Sequence, residues 1–301
     1  MKPQLSRQGS ANLILLPLFL CLWAGCAGVP SVLPPEARAQ IQRTHVRSFI
    51  PQSEVNFQFM QSSYGAGLGL VGAIVDLSVA SAMAGGAENR AQQLREVIRD
   101  YEFRPHYWAA ISNAVAESAW LDLRQLDPLP TGVMPVETAS LAVGSAMNIG
   151  TDYFISPDTR VFEVITGIGV VVPNKPRKVA AAVTTTYHSA EIGREEGDKA
   201  LALWMADGGA AYRRAATEGI QESAKLVRYA LEFMGGSTSV SSRPAKIRAR
   251  LLHARGGFGI PVSRITLKGE IIEDTADRVI FRDQAGSIYS FPRNEVVVNY
   301  R

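Results

Sequence analysis

Val161-Phe-Glu-Val-Ile-Thr-Gly-Ile-Gly-Val-Val-Val172, then Pro173-Asn-Lys-Pro176, then Lys178-Val-Ala-Ala-Ala-Val-Thr-Thr-Thr-Tyr-His188, has the pattern of two strands joined by a short connection. β-Branched and aromatic residues dominate both runs, as suits a pleated and half-buried surface, and the two prolines flanking Asn-Lys are turn chemistry. Upstream, Ser156-Pro157-Asp158 separates Val161 from Asp152–Ile155, and Ala139–Ile149 precedes that. Four such segments in sequence predict an antiparallel meander.

Helical periodicity surrounds the meander. Ala87, Ala91, Leu94, Ile98 and Tyr101 recur at three- and four-residue steps, predicting a helix over Ala87–Phe103, and Trp108, Ile111, Val115 and Ala119 predict a second over Pro105–Leu123. After the meander, Leu201, Met205, Gly208, Tyr212, Ala215 and Gly219 repeat at 4-3-4-3-4, predicting a long helix over Lys199–Phe233. Asp198 is its expected N-cap, Gly208-Gly209 its expected kink, and Gly235-Gly236 its expected end. Val55, Phe57 and Phe59 alternate with polar residues as in a half-buried strand. The fold class is therefore α+β, an antiparallel sheet packed with helices over residues 54–236.

The C-terminal residues 263–301 predict a small all-β module, SH3-like or a meander, with strands Ile265–Ile272, Arg278–Asp283, Ser287–Phe291 and Glu295–Tyr300. Residues 237–262 read as a basic linker in which Lys246, Arg248, Arg250, His253 and Arg255 occur without an acidic residue between them. Lys246, Arg248, Arg250 and Arg255 are the candidates for contact with an anionic surface, such as lipid headgroups or lipopolysaccharide phosphates.

Composition narrows the classes. The chain has 301 residues, 47% hydrophobic and 20% charged, with 31 basic against 28 acidic side chains, which excludes collagen-like, disulfide-scaffold and largely disordered chains. A net charge of +3 gives no strong field, so no nucleic-acid partner is expected.

At the N-terminus, Lys2 and Arg7 precede the uncharged run Leu13–Trp23, the arrangement of an export signal over residues 1–25 rather than a membrane span. Leu22-Trp23-Ala24-Gly25-Cys26 closes that run and resembles the lipobox of bacterial prolipoproteins, with Trp23 where that family usually has an aliphatic residue. The resemblance implies cleavage before Cys26, diacylation of its thiol and acylation of the new amine. It also implies that Ala27, in place of the Asp that retains lipoproteins at the inner membrane, sends the protein to the periplasmic face of the outer membrane. Cys21 would leave with the signal, so no disulfide is expected. Loss of Lys2 and Arg7 leaves 29 basic against 28 acidic side chains, nearly neutral. Pro30, Pro34, Pro35 and Pro51 make residues 26–53 read as a tether. The order of helix pair, sheet and closing helix is similar, in topology only, to small periplasmic lipoprotein domains such as the peptidoglycan-synthase activators and the curli-secretion lipoprotein.

Residues 64–86 are Gly-rich with Asp76 as their only charge. Gly67-Leu-Gly69-Leu-Val-Gly72 matches the dinucleotide G-x-G-x-x-G pattern, with Glu88 downstream, but Glu88 lies in a helical pattern and the required βαβ context is missing, so no cofactor is expected. Gly65, Gly69, Gly72 and Asp76 are instead candidates for a helix-packing or membrane-associating segment, because small residues let helices approach closely. Asp76 disfavours a lone lipid-facing span.

Catalytic patterns are weak. His45, His106, His188 and His253 are dispersed, and neither HExxH nor CxxC occurs, so no metal site is expected. Ser189, His188 and Asp152 could form a hydrolytic trio, and Glu195, Glu196 and Asp198 could mimic paired glycosidase carboxylates. The expectation is a non-enzymatic envelope lipoprotein, a binding or assembly module with envelope protein partners. The alternatives are an envelope hydrolase acting on peptidoglycan or lipid, and an oligomeric membrane component driven by the Gly-rich segment.

Overall fold

The computed structural model describes residues 30–57, 86–128, 145–171, 179–237, 241–250 and 264–300, without positions 42, 43, 51, 87, 119 and 122. Cys26, Gly65, Gly69, Gly72, Asp76, His253 and Arg255 lie outside the described residues.

The elements are α1 (Pro35–Gln40), β1 (Thr44–Phe49), β2 (Asn56–Phe57), α2 (88–97), α3 (Phe103–Ala116), β3 (Leu123–Pro128), β4 (Ser145–Ile155), β5 (Phe162–Val171), β6 (Val179–His188) and α4 (Asp198–Met234). They continue with β7 (Arg243–Arg250), β8 (Arg264–Asp274), β9 (Arg278–Asp283), β10 (Ile288–Pro292), a 3-10 turn (Arg293–Glu295) and β11 (Val297–Tyr300). The architecture is α+β, with the eleven strands of the described residues in one sheet of order β11-β7-β8-β9-β10-β6-β5-β4-β1-β3 and β2 beside β4.

The β4-β5-β6 meander is antiparallel, with Tyr153 opposite Val164 and Val164 opposite Tyr187. On β5, Phe162, Val164, Thr166, Ile168 and Val170 are buried in turn, the period of two that places one face on a core. Helices α3 and α4 cover that face. Phe103, Tyr107, Ile111 and Val115 form the buried stripe of α3, and Phe103 stacks on Tyr153 with ring centroids 4.0 Å apart. Gly219 of α4 lets that helix close on the sheet, since a methyl group there would meet Tyr187 at 3.0 Å and Phe162 at 3.1 Å.

The Tyr107 hydroxyl bonds with Thr151 Oγ1 at 2.7 Å and Thr166 Oγ1 at 2.6 Å, tying α3 to the two central strands. Burial pushes its pKa up to about 12, against the two hydrogen bonds. Tyr107→Phe is expected to cost about 1 kcal/mol. The cost is held there because the two threonine oxygens, 3.2 Å apart, keep each other as partners. Equilibrium urea unfolding checks this, and stability equal to the parent would show that the hydroxyl contributes nothing.

Helix α4 kinks at Ala206–Gly209, where Asp207, Gly208 and Gly209 take φ of 52°, 66° and 79°, as the glycine pair predicts. It ends at Gly235, whose N–H donates to Leu231 O at 2.8 Å. Its N-cap is Gly197, not Asp198. The exposed Asp198 carboxylate pairs instead with Arg90 at 2.8 Å.

Other expectations are corrected as well. The sheet is mixed, not antiparallel: β1 runs parallel to both β3 and β4, β2 parallel to β4, and β10 parallel to β6. The tether expected over 26–53 contains a helix and an internal strand, because Leu33, Ile41, Val46 and Ile50 supply buried side chains and Pro35 serves as a first-turn helix residue rather than a spacer. The basic linker expected over 237–262 contains β7, because Ala245, Ile247 and Ala249 alternate with its charges and are fully buried. The second helix stops at Ala116, and Leu123–Pro128 is a strand.

Strand β4 is continuous across Gly150 and Thr151, where two strands were expected. The C-terminal strands fall close to their predicted places. They keep a core of their own, including Ala245, Ile247, Phe281, Phe291 and Val296, yet β10 joins them to the main sheet by pairing Ile288 with Thr185 and Ser290 with Tyr187.

Candidate functional site

Strand β7 sends its small apolar residues inward and Lys246, Arg248 and Arg250 outward. Its register with β8 places Lys246 opposite Lys268, Arg248 opposite Thr266 and Arg250 opposite Arg264. Opposed residues of an antiparallel pair share a face, so five cations gather on one side of two strands. On the other flank, β11 places Val297 opposite Arg248 and Asn299 opposite Lys246. Like charges directly opposed across strands are destabilising, so folding alone does not account for this arrangement.

Of the residues expected to meet an anionic surface, Lys246 and Arg248 lie on the face with their charges free of acidic partners among the described residues. Arg250 is neutralised: its guanidinium pairs with Glu191 at 2.6 Å and with Asp158. Burial acts to lower its pKa, but the two carboxylates outweigh that and raise it. Arg264 and Lys268 were missed, although Arg264, Thr266 and Lys268 alternate with Ile265 and Leu267 in the sequence. Glu270, the next outward residue of β8, is occupied by Arg282 at 2.7 Å. Burial pushes its pKa up, and hydrogen bonds from Arg282 and Ser242 more than offset this and hold it low.

A second cluster lies where α4 meets β6, β9 and β10. Arg278, 8% exposed, donates to Ser290 Oγ at 2.7 Å, Ser290 O at 3.0 Å, His188 O at 2.6 Å and Glu218 Oε1 at 2.6 Å, and lies 4.6 Å from the Tyr187 ring centroid. Ser290 Oγ donates in turn to Glu222 at 2.9 Å, and Lys225 bridges Glu222 and Glu273. Each nitrogen of the Arg278 guanidinium has an acceptor, as expected of a structural joint.

A groove of about 340 Å³ lies between α2, α3 and the segment before β2, lined in part by Arg95, Arg99, Arg104, Tyr101, Trp108 and Tyr153. Arg95 and Arg104 are committed to backbone oxygens of Val55 and Gln52, leaving Arg99 as the exposed cation at its rim.

The weaker sequence candidates are not brought together. Ser189 Oγ accepts from Phe162 N and donates to Ala190 O, while His188 Nδ1 faces Glu163 at 3.4 Å and its ring stacks on Phe291. Asp152 sits on β4 opposite Ile165. Glu195 and Asp198 are exposed and pair with Lys199 and Arg90, and Glu88 accepts from Arg95 at 2.7 Å. Among the described residues, no group of three or more His, Cys, Asp or Glu side chains is placed to hold a metal ion, and no helix is long and apolar enough to cross a membrane. No protein-family model and no curated protein matches this sequence.

Proposed function

We propose that the protein is a lipid-anchored module of the bacterial cell envelope, held by acyl chains on Cys26 at the periplasmic face of the outer membrane, where it binds or assembles envelope components. One observation carries this reading: the lipobox-like Leu22–Cys26 is followed almost at once by the folded body. Pro30 O accepts the Ala182 N–H at 3.0 Å, and the Leu33 N–H donates to Met234 O at 2.9 Å. Four residues from Cys26 to Pro30 reach at most about 14 Å when extended. An anchor at Cys26 therefore holds the body against the bilayer, not at the end of a long tether.

The C-terminal strands are read as an SH3-like barrel in this module: β7 lies between β8 and β11, and the 3-10 turn Arg293–Glu295 connects β10 to β11. Such a unit, presented close to a membrane, suits binding more than chemistry.

The test is expression of the whole chain and its Cys26→Ala variant, envelope fractionation and mass measurement of the product. The expected product begins at Cys26, carries acyl mass and sits in the outer membrane, while the variant loses both the mass and the location. An unmodified parent cut elsewhere overturns the reading.

A further inference from the structure

We infer that the outward face of β7 and β8, formed by Lys246, Arg248, Arg264 and Lys268, is the surface by which the protein lies on an anionic phospholipid bilayer. The inference rests on the membrane-side location proposed above and adds the orientation of the body and the chemistry that fixes it.

Charge is the first argument. No acidic side chain among the described residues pairs with these four cations, whereas Arg250 and Arg282, at the margins of the same face, are both occupied by carboxylates. Lys246 and Lys268 are directly opposed residues of the ladder, so their side chains leave on the same face. A layer of phosphate groups relieves their repulsion, and a face built from two paired strands meets such a layer with several cations at once. The pattern therefore complements an extended surface more closely than a single small anion.

Position is the second argument. Lys268 O accepts the Gln284 N–H at 3.1 Å, and two residues further on Gly286 abuts Ser31, where a methyl group would lie 2.5 Å from Ser31 Cβ. Ser31 is five residues after Cys26. The chain toward Cys26 thus leaves the body near the Lys268 end of the cationic face, which lets one bilayer engage both. Apolar side chains stand at the same two places: Val297, opposite Arg248, is 52% exposed, and Val32, next to Ser31, is 42% exposed. Shallow insertion of apolar groups between headgroups, beside cations that meet the phosphates, is the established chemistry of interfacial binding.

The experiment uses the unacylated chain from Ala27 to Arg301, which contains every described residue, in flotation with vesicles of phosphatidylcholine alone or mixed with phosphatidylglycerol. Binding is expected only with phosphatidylglycerol and is expected to weaken as added salt shortens the screening length. Each cation removed is expected to lower affinity about five-fold. Lys246→Gln combined with Lys268→Gln should therefore lose roughly 25-fold. Because the two residues repel each other across the ladder, this variant is expected to melt no lower than the parent, which separates lost binding from lost folding. Equal binding to both vesicle types, or parental affinity in the double variant, overturns the inference. Binding to DNA or to an acidic polypeptide with none to phosphatidylglycerol overturns it in favour of a macromolecular partner. Failure of the anchor reading shows separately, as an unmodified Cys26 in the mass measurement, because the vesicle assay contains no acylated protein.

Discussion

Arg278→Ala is expected to lose about 3–5 kcal/mol of stability. Arg278 is 8% exposed and its guanidinium serves three elements together: His188 O at the end of β6, Ser290 on β10, and Glu218 and Glu222 on α4. Its removal takes a donor from the His188 and Ser290 carbonyls, and leaves Glu222, 16% exposed, with only Ser290 Oγ and the more distant Lys225 to offset its desolvation. Glu218 is 43% exposed and recovers water, so most of the penalty falls on Glu222, Ser290 and the two carbonyls. Arg278→Lys is expected to sit between, because a single ammonium cannot reproduce a planar fork that reaches a carboxylate, a hydroxyl and two carbonyls. Combining Arg278→Met with Glu222→Gln should recover part of the loss by removing a carboxylate that has lost its guanidinium partner. Urea unfolding of the four proteins decides the matter, and a loss below about 1 kcal/mol for the alanine variant would show that water replaces the joint at little cost.

That joint had no signature in the sequence. Arg278 reads as an ordinary charged residue at the start of a strand, and its acceptors come from positions 188, 218, 222 and 290, which only the fold brings together. The elements that could be read were those with local causes. The meander follows from alternation on β5 and the turn residues after β4. The α4 kink follows from Gly208-Gly209, and the end of α4 from Gly235. Parallel pairing of β1 with β4 was not legible, because a strand inserted into a sheet about a hundred residues downstream leaves no turn to mark it. Strand β7 is hidden in the sequence for a different reason. Its buried face is Ala245, Ile247 and Ala249, so two of its three core residues are too small to stand out against the surrounding charges. The cationic site is half visible in consequence: the charges at 246–250 stand out in the sequence, while Arg264 and Lys268 join them only through the β7–β8 register.

The same register makes Gly269→Ala the second change of large effect, with an expected loss of about 3 kcal/mol. Gly269 lies on β8 between Ala245 of β7 and Asp283 of β9. A methyl group there would overlap the carbonyl oxygen of Arg282 and press on the Phe281 ring at 2.8 Å. The obstacle is backbone, so no rotamer change clears it, and β9 would have to move within its ladder while Phe281 is displaced from the C-terminal core. Gly169→Ala is the matched control. It too sits in a strand, but the nearest group to its added methyl is Val179 Cγ1 at 3.8 Å, an ordinary contact. There the reduced entropy of the unfolded chain is expected to leave stability unchanged or raise it by up to about 1 kcal/mol. Because Gly269 adjoins Lys268, displacement of β9 also disturbs the strand pair that carries the cations, and the Gly269→Ala variant is expected to lose phosphatidylglycerol binding while Gly169→Ala keeps it. Thermal and urea unfolding of the two variants beside the parent test the packing argument. Equal stabilities for both would mean that β9 gives way freely, and the close approach of the two strands would then contribute nothing to holding the cationic face in place.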